Sequence, residues 1–227
     1  MFRVFLLLAL SHSATAQIVS EGTALAVGFE AEAAAQVEWD AGAVTVTGPS
    51  ALARVALAPR VELRVGLPDA VVVRADGASA RDVSDPTLGL KLDLGAPIGW
   101  ALAALAEVSV PLFTGSLAGP ASPSASLLAE RLGGPLLLLG QADVVWDRSA
   151  NRVDAGGAAL VGAEVATGAA LFAEAAVATT PDGLAVLALV SAALAATGRL
   201  AFDAHVGAGL TPSAPDAVVG VGASLRL

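Results

Sequence analysis

Residues 86–95 read PTLGLKLDLG. Taken in steps of two, Leu88, Leu90, Leu92 and Leu94 fall on one side, and Lys91 and Asp93 on the other. A helix would place its apolar positions every three or four residues, so a period of two marks a strand with one greasy and one polar face. A soluble sheet with one buried face has this pattern. So does a barrel wall with lipid outside and a polar interior.

The alternation recurs on both sides of this stretch. Residues 24–39 set Leu25, Val27, Phe29, Ala31, Ala33, Ala35, Val37 and Trp39 against Glu30, Glu32, Gln36 and Glu38. Residues 60–67 set Val61, Leu63, Val65 and Leu67 against Glu62 and Arg64. Residues 137–146 set Leu138, Ala142, Val144 and Trp146 against Gln141 and Asp143. "VGAEVAT" and "LFAEAAV" each hold one carboxylate, Glu164 and Glu174, among small side chains. In the closing stretch, Leu200, Phe202, Ala204 and Val206 oppose Arg199, Asp203 and His205, and Val219, Val221 and Leu225 oppose Gly220, Gly222 and Arg226. Three stretches, 98–110, 124–132 and 184–197, are rich in Ala and Leu and suit helix as well as strand. Their glycines, valines and flanking turn residues favour strand.

Connection lengths are the second signal. Short turns fit at 58–60, 96–97, 133–134, 167–168 and 197–198, and longer ones at 40–50, 74–85, 111–123, 147–154, 180–183 and 211–216. About twelve strands with short turns at one rim and longer loops at the other is the pattern of an outer-membrane barrel.

Composition narrows the class. Hydrophobic residues make up 56% of the 227-residue chain and charged ones 15%, while no uninterrupted apolar run reaches the roughly 20 residues of a spanning helix. A closed sheet satisfies its backbone groups without water, so it is the economical way for such a chain to cross a membrane. A net charge of −9 disfavours nucleic acid as a partner. The absence of cysteine removes disulfides, thiolate nucleophiles and Cys-based metal sites. Residues 1–16, with Arg3, the apolar "VFLLLAL" and the small-x-small end Ala14-Thr15-Ala16, read as a secretory signal, which leaves a barrel domain over 17–227.

Three stretches carry a family resemblance. "LARVALAPRVELRVG", "DPTLGLKLDL" and the ending "LAFDAHVGAGLTPSAPDAVVGVGASLRL" resemble the bacterial outer-membrane proteins named for the MetA pathway of phenol degradation, whose ending is of the form "LDlsvGrGLt…aPDwfvgvGvsfRf". The resemblance implies a porin-like barrel in the outer membrane that passes small molecules, hydrophobic or aromatic ones included. It brings no catalytic or ligand residues. Here Ala217 stands where the family has Trp, and Leu227 where such barrels end in an aromatic residue.

The expected fold is therefore all-β, an antiparallel transmembrane β-barrel of about twelve strands. Its candidate lumen-lining residues are Glu30, Glu32, Arg54, Glu62, Arg64, Lys91, Asp93, Glu107, Asp143, Glu164, Glu174, Arg199, Asp203, His205 and Arg226. They either line a conducting pore, whose acidic excess would disfavour anions, or pair across strands and fill a narrow barrel. Asp203 and His205 share a face, but one histidine with one carboxylate falls short of a metal site or a catalytic set. Neither "HVGAGL" nor "GVGASL" continues into a phosphate-binding loop. The expectation is a passive pore with no enzymatic role and no cofactor or metal. Its partners would be outer-membrane lipid and a small solute. A non-transporting surface barrel and a secreted soluble β-domain are the alternatives.

Overall fold

A computed structural model describes residues 22–112, 120–133, 135–148 and 150–227. Residues 1–21, which include the stretch 1–16 expected to be a signal, residues 113–119, Gly134 and Ser149 lie outside the described residues. Fourteen strand segments follow one another: β1 (Phe29–Asp40), β2 (Ala43–Ala58), β3 (Val61–Gly66), β4 (Ala70–Ala75), β5 (Ala78–Val83), β6 (Thr87–Gly95), β7 (Ala101–Ser109), β8 (Pro123–Gly133), β9 (Leu136–Asp147), β10 (Arg152–Ala166), β11 (Ala169–Thr180), β12 (Gly183–Ala195), β13 (Leu200–Gly209) and β14 (Ala217–Arg226). Among the described residues the only helical piece is a 3₁₀ turn at Pro97–Gly99.

All pairings are antiparallel, and β1 pairs with both β14 and β2, which closes the sheet. The wall has twelve strands, because two of them are each broken in two. β3 pairs with the turn-side half of β2 (Leu52–Ala58), and β4 pairs with its loop-side half (Val44–Thr47). β3 and β4 thus run along one track, interrupted at Leu67-Pro68-Asp69. β5 and β6 share the next track, interrupted at Ser84-Asp85-Pro86, with β5 on β4 and β6 on β3. Proline lacks the N–H a ladder needs, so each break falls where the ladder cannot continue. The ambiguous stretches at 98–110, 124–132 and 184–197 are strands β7, β8 and β12.

Burial sets the orientation. Leu88, Leu90, Leu92 and Leu94 are 43–49% exposed, whereas Lys91 between them is fully buried. Large apolar side chains face outward along the wall, with Val144, Trp146, Val161, Leu171, Val190, Phe202, Val206 and Val221 all exposed. On β9 this outer face runs from Leu136 to Trp146, about 33 Å at ~3.3 Å per residue, or about 25 Å along the axis of a barrel whose strands tilt by ~40°. That is the height of an outer-membrane apolar band. The tryptophans stand at its edges: Trp39 and Trp146 near the loop-side ends of β1 and β9, Trp100 at the turn-side start of β7. Arg148 lies over the Trp146 ring at 5.5 Å and Arg131 over Trp100 at 5.9 Å.

Three expectations from sequence are corrected. Residues 40–50 are no long loop: Ala41-Gly42 makes a two-residue turn and β2 starts at Ala43. Opposite Ala35, Gly48 and Pro49 form a bulge, so Gln36 pairs Thr47 while Ala34 pairs Ser50. The bulge shifts the inward parity from odd to even positions, which hides the strand's period of two. Gly48 is required there; its φ is +137°, and a Cβ would lie 2.9 Å from Ala35. Residues 74–85 are likewise mostly strand, forming the β4–β5 hairpin that turns at Asp76-Gly77. Finally, the strand read from Leu25 begins only at Phe29, and the residues before it lie elsewhere.

Candidate functional site

One row of inward residues crosses six strands, starting near the turn-side rim on β14 and β1. In register it runs Arg226 (β14), Glu30 (β1), Arg54 (β2), Arg64 (β3), Gly89 (β6) and Glu107 (β7). Glu62 and Lys91 face each other one step along, on β3 and β6. Two guanidinium groups directly opposed would repel, and carboxylates bracket both. Arg54 meets Glu62 through Nε and Nη2 at 3.0 Å each, Glu32 at 3.0 Å and Glu30 at 3.2 Å. Arg64 lies 3.3 Å from Glu62 and 3.4 Å from Glu107, and Arg226 lies 2.8 Å from Glu30. Glu62 and Lys91 are fully buried. Groups so far from water keep their charge only when paired and hydrogen-bonded, and the bidentate Arg54–Glu62 contact supplies the strongest such bond. Among the described residues, Glu30, Glu32, Glu62 and Glu107 here stand with Arg54, Arg64, Lys91 and Arg226, so both charge signs are present at this level.

The chain's own Gly22–Val27 segment occupies this network. Lys91 Nζ donates to the carbonyls of Gly22 and Ala24, the latter at 2.9 Å, and Arg54 Nη2 donates to Ala24 O at 2.9 Å. The Ala26 N–H donates to Glu62 Oε2. Glu130 Oε2, on β8, accepts from both the N–H and the hydroxyl of Thr23, each at 3.0 Å. Thr23 and Ala26 are buried. Because β1 starts at the turn-side rim, the segment sits inside the barrel at that end.

Apolar side chains also face inward, with Leu52, Leu105 and Leu128 buried on β2, β7 and β8 beside the network and more of them further round the wall. Leu139, Leu160, Leu187, Leu189 and Val218 are buried on the inward parity of β9, β10, β12 and β14, with Leu187, Leu189 and Val218 in one cluster. Buried Glu174, Ser191 and Asp203 stand among them, and Glu174 is flanked in register by Leu160 and Leu189. Two rings lie across glycines in this wall. His205 reaches over Gly220 of β14, placing Nε2 3.3 Å from Gln36 Oε1 on β1; a Cβ on Gly220 would come 2.3 Å from the imidazole. Phe172 covers Gly162 on β10 in the same way, at 2.2 Å from such a Cβ.

The remaining candidates lie outside the network. Asp143 accepts from Gln141 at 2.8 Å. Asp93 accepts from the Gly95 N–H at 2.7 Å and stands 4.0 Å from exposed Arg60. Glu164 and Arg199 are exposed at the turn-side rim, where Glu164 accepts from the Gly168 N–H. Asp203 and His205 share the inward face of β13, and the ring nitrogen nearest another strand meets Gln36. Sequence reading missed Glu130, the Gly22–Val27 segment and the inward leucines. Glu130 lies in a stretch whose parity was ambiguous, and the segment continues the alternation of β1 without belonging to it.

No family model and no curated protein matches the chain. Solved structures do match in fold. An outer membrane channel from Pseudomonas putida F1 superposes with a TM-score of 0.71 at 16% identity, over 89% of this chain and 96% of that one. The KdgM porin gives 0.61 at 8% identity, over 87% and 99%, and the NanC porin 0.61 at 6%, over 87% and 100%. At these identities the likeness is one of fold, and the phenol-pathway part of the family resemblance gains no support from it. Closed, antiparallel and twelve-stranded, the chain has the fold of outer-membrane channels.

Proposed function

We propose that the protein resides in the outer membrane and is a passive pore for small molecules, without enzymatic activity. The observation that carries this reading is the contrast between the two faces of one closed sheet. Leucine and valine are exposed on an outer belt about 25 Å high, and charged groups of both signs line the inside. Soluble proteins do not leave so continuous an apolar belt uncovered. Twelve strands enclose a narrower channel than the 16–18-stranded porins, so solutes pass in single file against the wall. The leucines buried among the inward residues favour solutes with an apolar side, as the family resemblance implies. Entry at the turn-side rim passes the Gly22–Val27 segment.

Purified protein reconstituted into planar bilayers should give discrete conductance steps, and cell fractionation should place it in the outer membrane. A folded barrel, recognised by its heat-modifiable migration on detergent gels, that is electrically silent would overturn the pore. The occupied network favours a second reading, a barrel that does not conduct, and silence would select it.

A further inference from the structure

We propose that the charged network is a recognition site for an extended peptide main chain, which residues 22–26 fill in cis. The inference rests on the pore reading and names a solute class for it: short, uncharged peptides with small side chains. Among the described residues, five of the six hydrogen bonds to the segment go to main-chain atoms. Cationic donors on β2 and β6 meet the carbonyls of Gly22 and Ala24, and carboxylate acceptors on β3 and β8 meet the N–H groups of Thr23 and Ala26. Wall side chains supply these bonds, so the segment is held without adding a strand to the sheet. Only the Thr23 hydroxyl is read as a side chain. A site that reads carbonyl and N–H positions accepts any extended chain of similar slimness, and the resident sequence Gly-Thr-Ala-Leu-Ala-Val is slim. Both charge signs are needed, because the main chain presents acceptors and donors in alternation.

The cis segment competes with any peptide in trans, so the test weakens the first to reveal the second. In full-length Ala26→Pro the N–H that Glu62 accepts is gone. The acetylated and amidated hexapeptide Gly-Thr-Ala-Leu-Ala-Val should then bind the detergent-folded variant at least tenfold more tightly than wild type by titration calorimetry. The same peptide with proline in place of its second alanine should bind at least tenfold more weakly. If Ala26→Pro fails to fold on the heat-modifiability gel, Thr23→Pro, which removes an N–H and a hydroxyl from Glu130, takes its place with the same expectation. Equal binding to wild type and variant, or equal binding of the two peptides, overturns the proposal. Conductance is recorded separately: a conducting barrel that ignores the peptide overturns this inference alone, and a silent barrel that binds it overturns the pore alone.

Discussion

Arg54 and Arg64 stand directly opposite each other on neighbouring strands, both pointing into the barrel. Glu62 touches both, at 3.0 and 3.3 Å, and so turns a repulsive pair into part of a continuous network. The network is therefore cooperative, and removing one member strands the others.

Arg54→Met should destabilise the folded barrel by about 3–5 kcal/mol, the usual cost of leaving a buried charge without its partner. Urea unfolding in liposomes measures it. An effect below about 1 kcal/mol, typical of exposed ion pairs, would mean that water screens this part of the interior.

The outer belt predicts a depth profile. Leu90→Arg, near the middle of β6, should cost about 2–4 kcal/mol in a bilayer, while Leu210→Arg at the loop-side rim should cost about 0–1 kcal/mol. Equal costs at the two depths would contradict a lipid-facing belt.

Gly220 and His205 should behave as a coupled pair. Gly220→Ala puts a methyl group into the imidazole, which must swing off the wall and leave Gln36, at a cost of about 1–3 kcal/mol. In a His205→Ala background the same change should be nearly neutral, and the double-mutant cycle reports the difference. Additive costs would show that the ring does not lie where we place it.

Lys91→Met should raise single-channel conductance. The lysine holds the carbonyls of Gly22 and Ala24, and without it the segment leaves the turn-side mouth more often. Unchanged conductance in a folded variant would show that the segment does not obstruct the path.

The architecture was legible in residues such as Leu88, Leu90, Leu92 and Leu94, whose parity against Lys91 and Asp93 separates an apolar outer face from a polar interior. β2 was not, because the bulge at Gly48-Pro49 moves the inward set from Thr45 and Thr47 to Ser50, Leu52 and Arg54. Leu187 and Leu189 were invisible for another reason: their strand is apolar at both parities, so alternation carries no sign there. Individual charges of the network could be proposed one by one, but its membership depends on register. Nothing in the order of residues says that Arg226 meets Glu30 or that Glu130 meets Thr23.

The β4–β5 hairpin offers the experimenter a handle. It continues the wall past the breaks at Pro68 and Pro86 and turns at Asp76-Gly77, at the rim opposite the one where β1 begins and β14 ends. An epitope tag inserted between Asp76 and Gly77 interrupts no pairing of the closed cylinder. Antibody staining of intact cells carrying that tag would reveal which rim faces the outside world, and so on which side of the membrane a visiting molecule first meets the charged network.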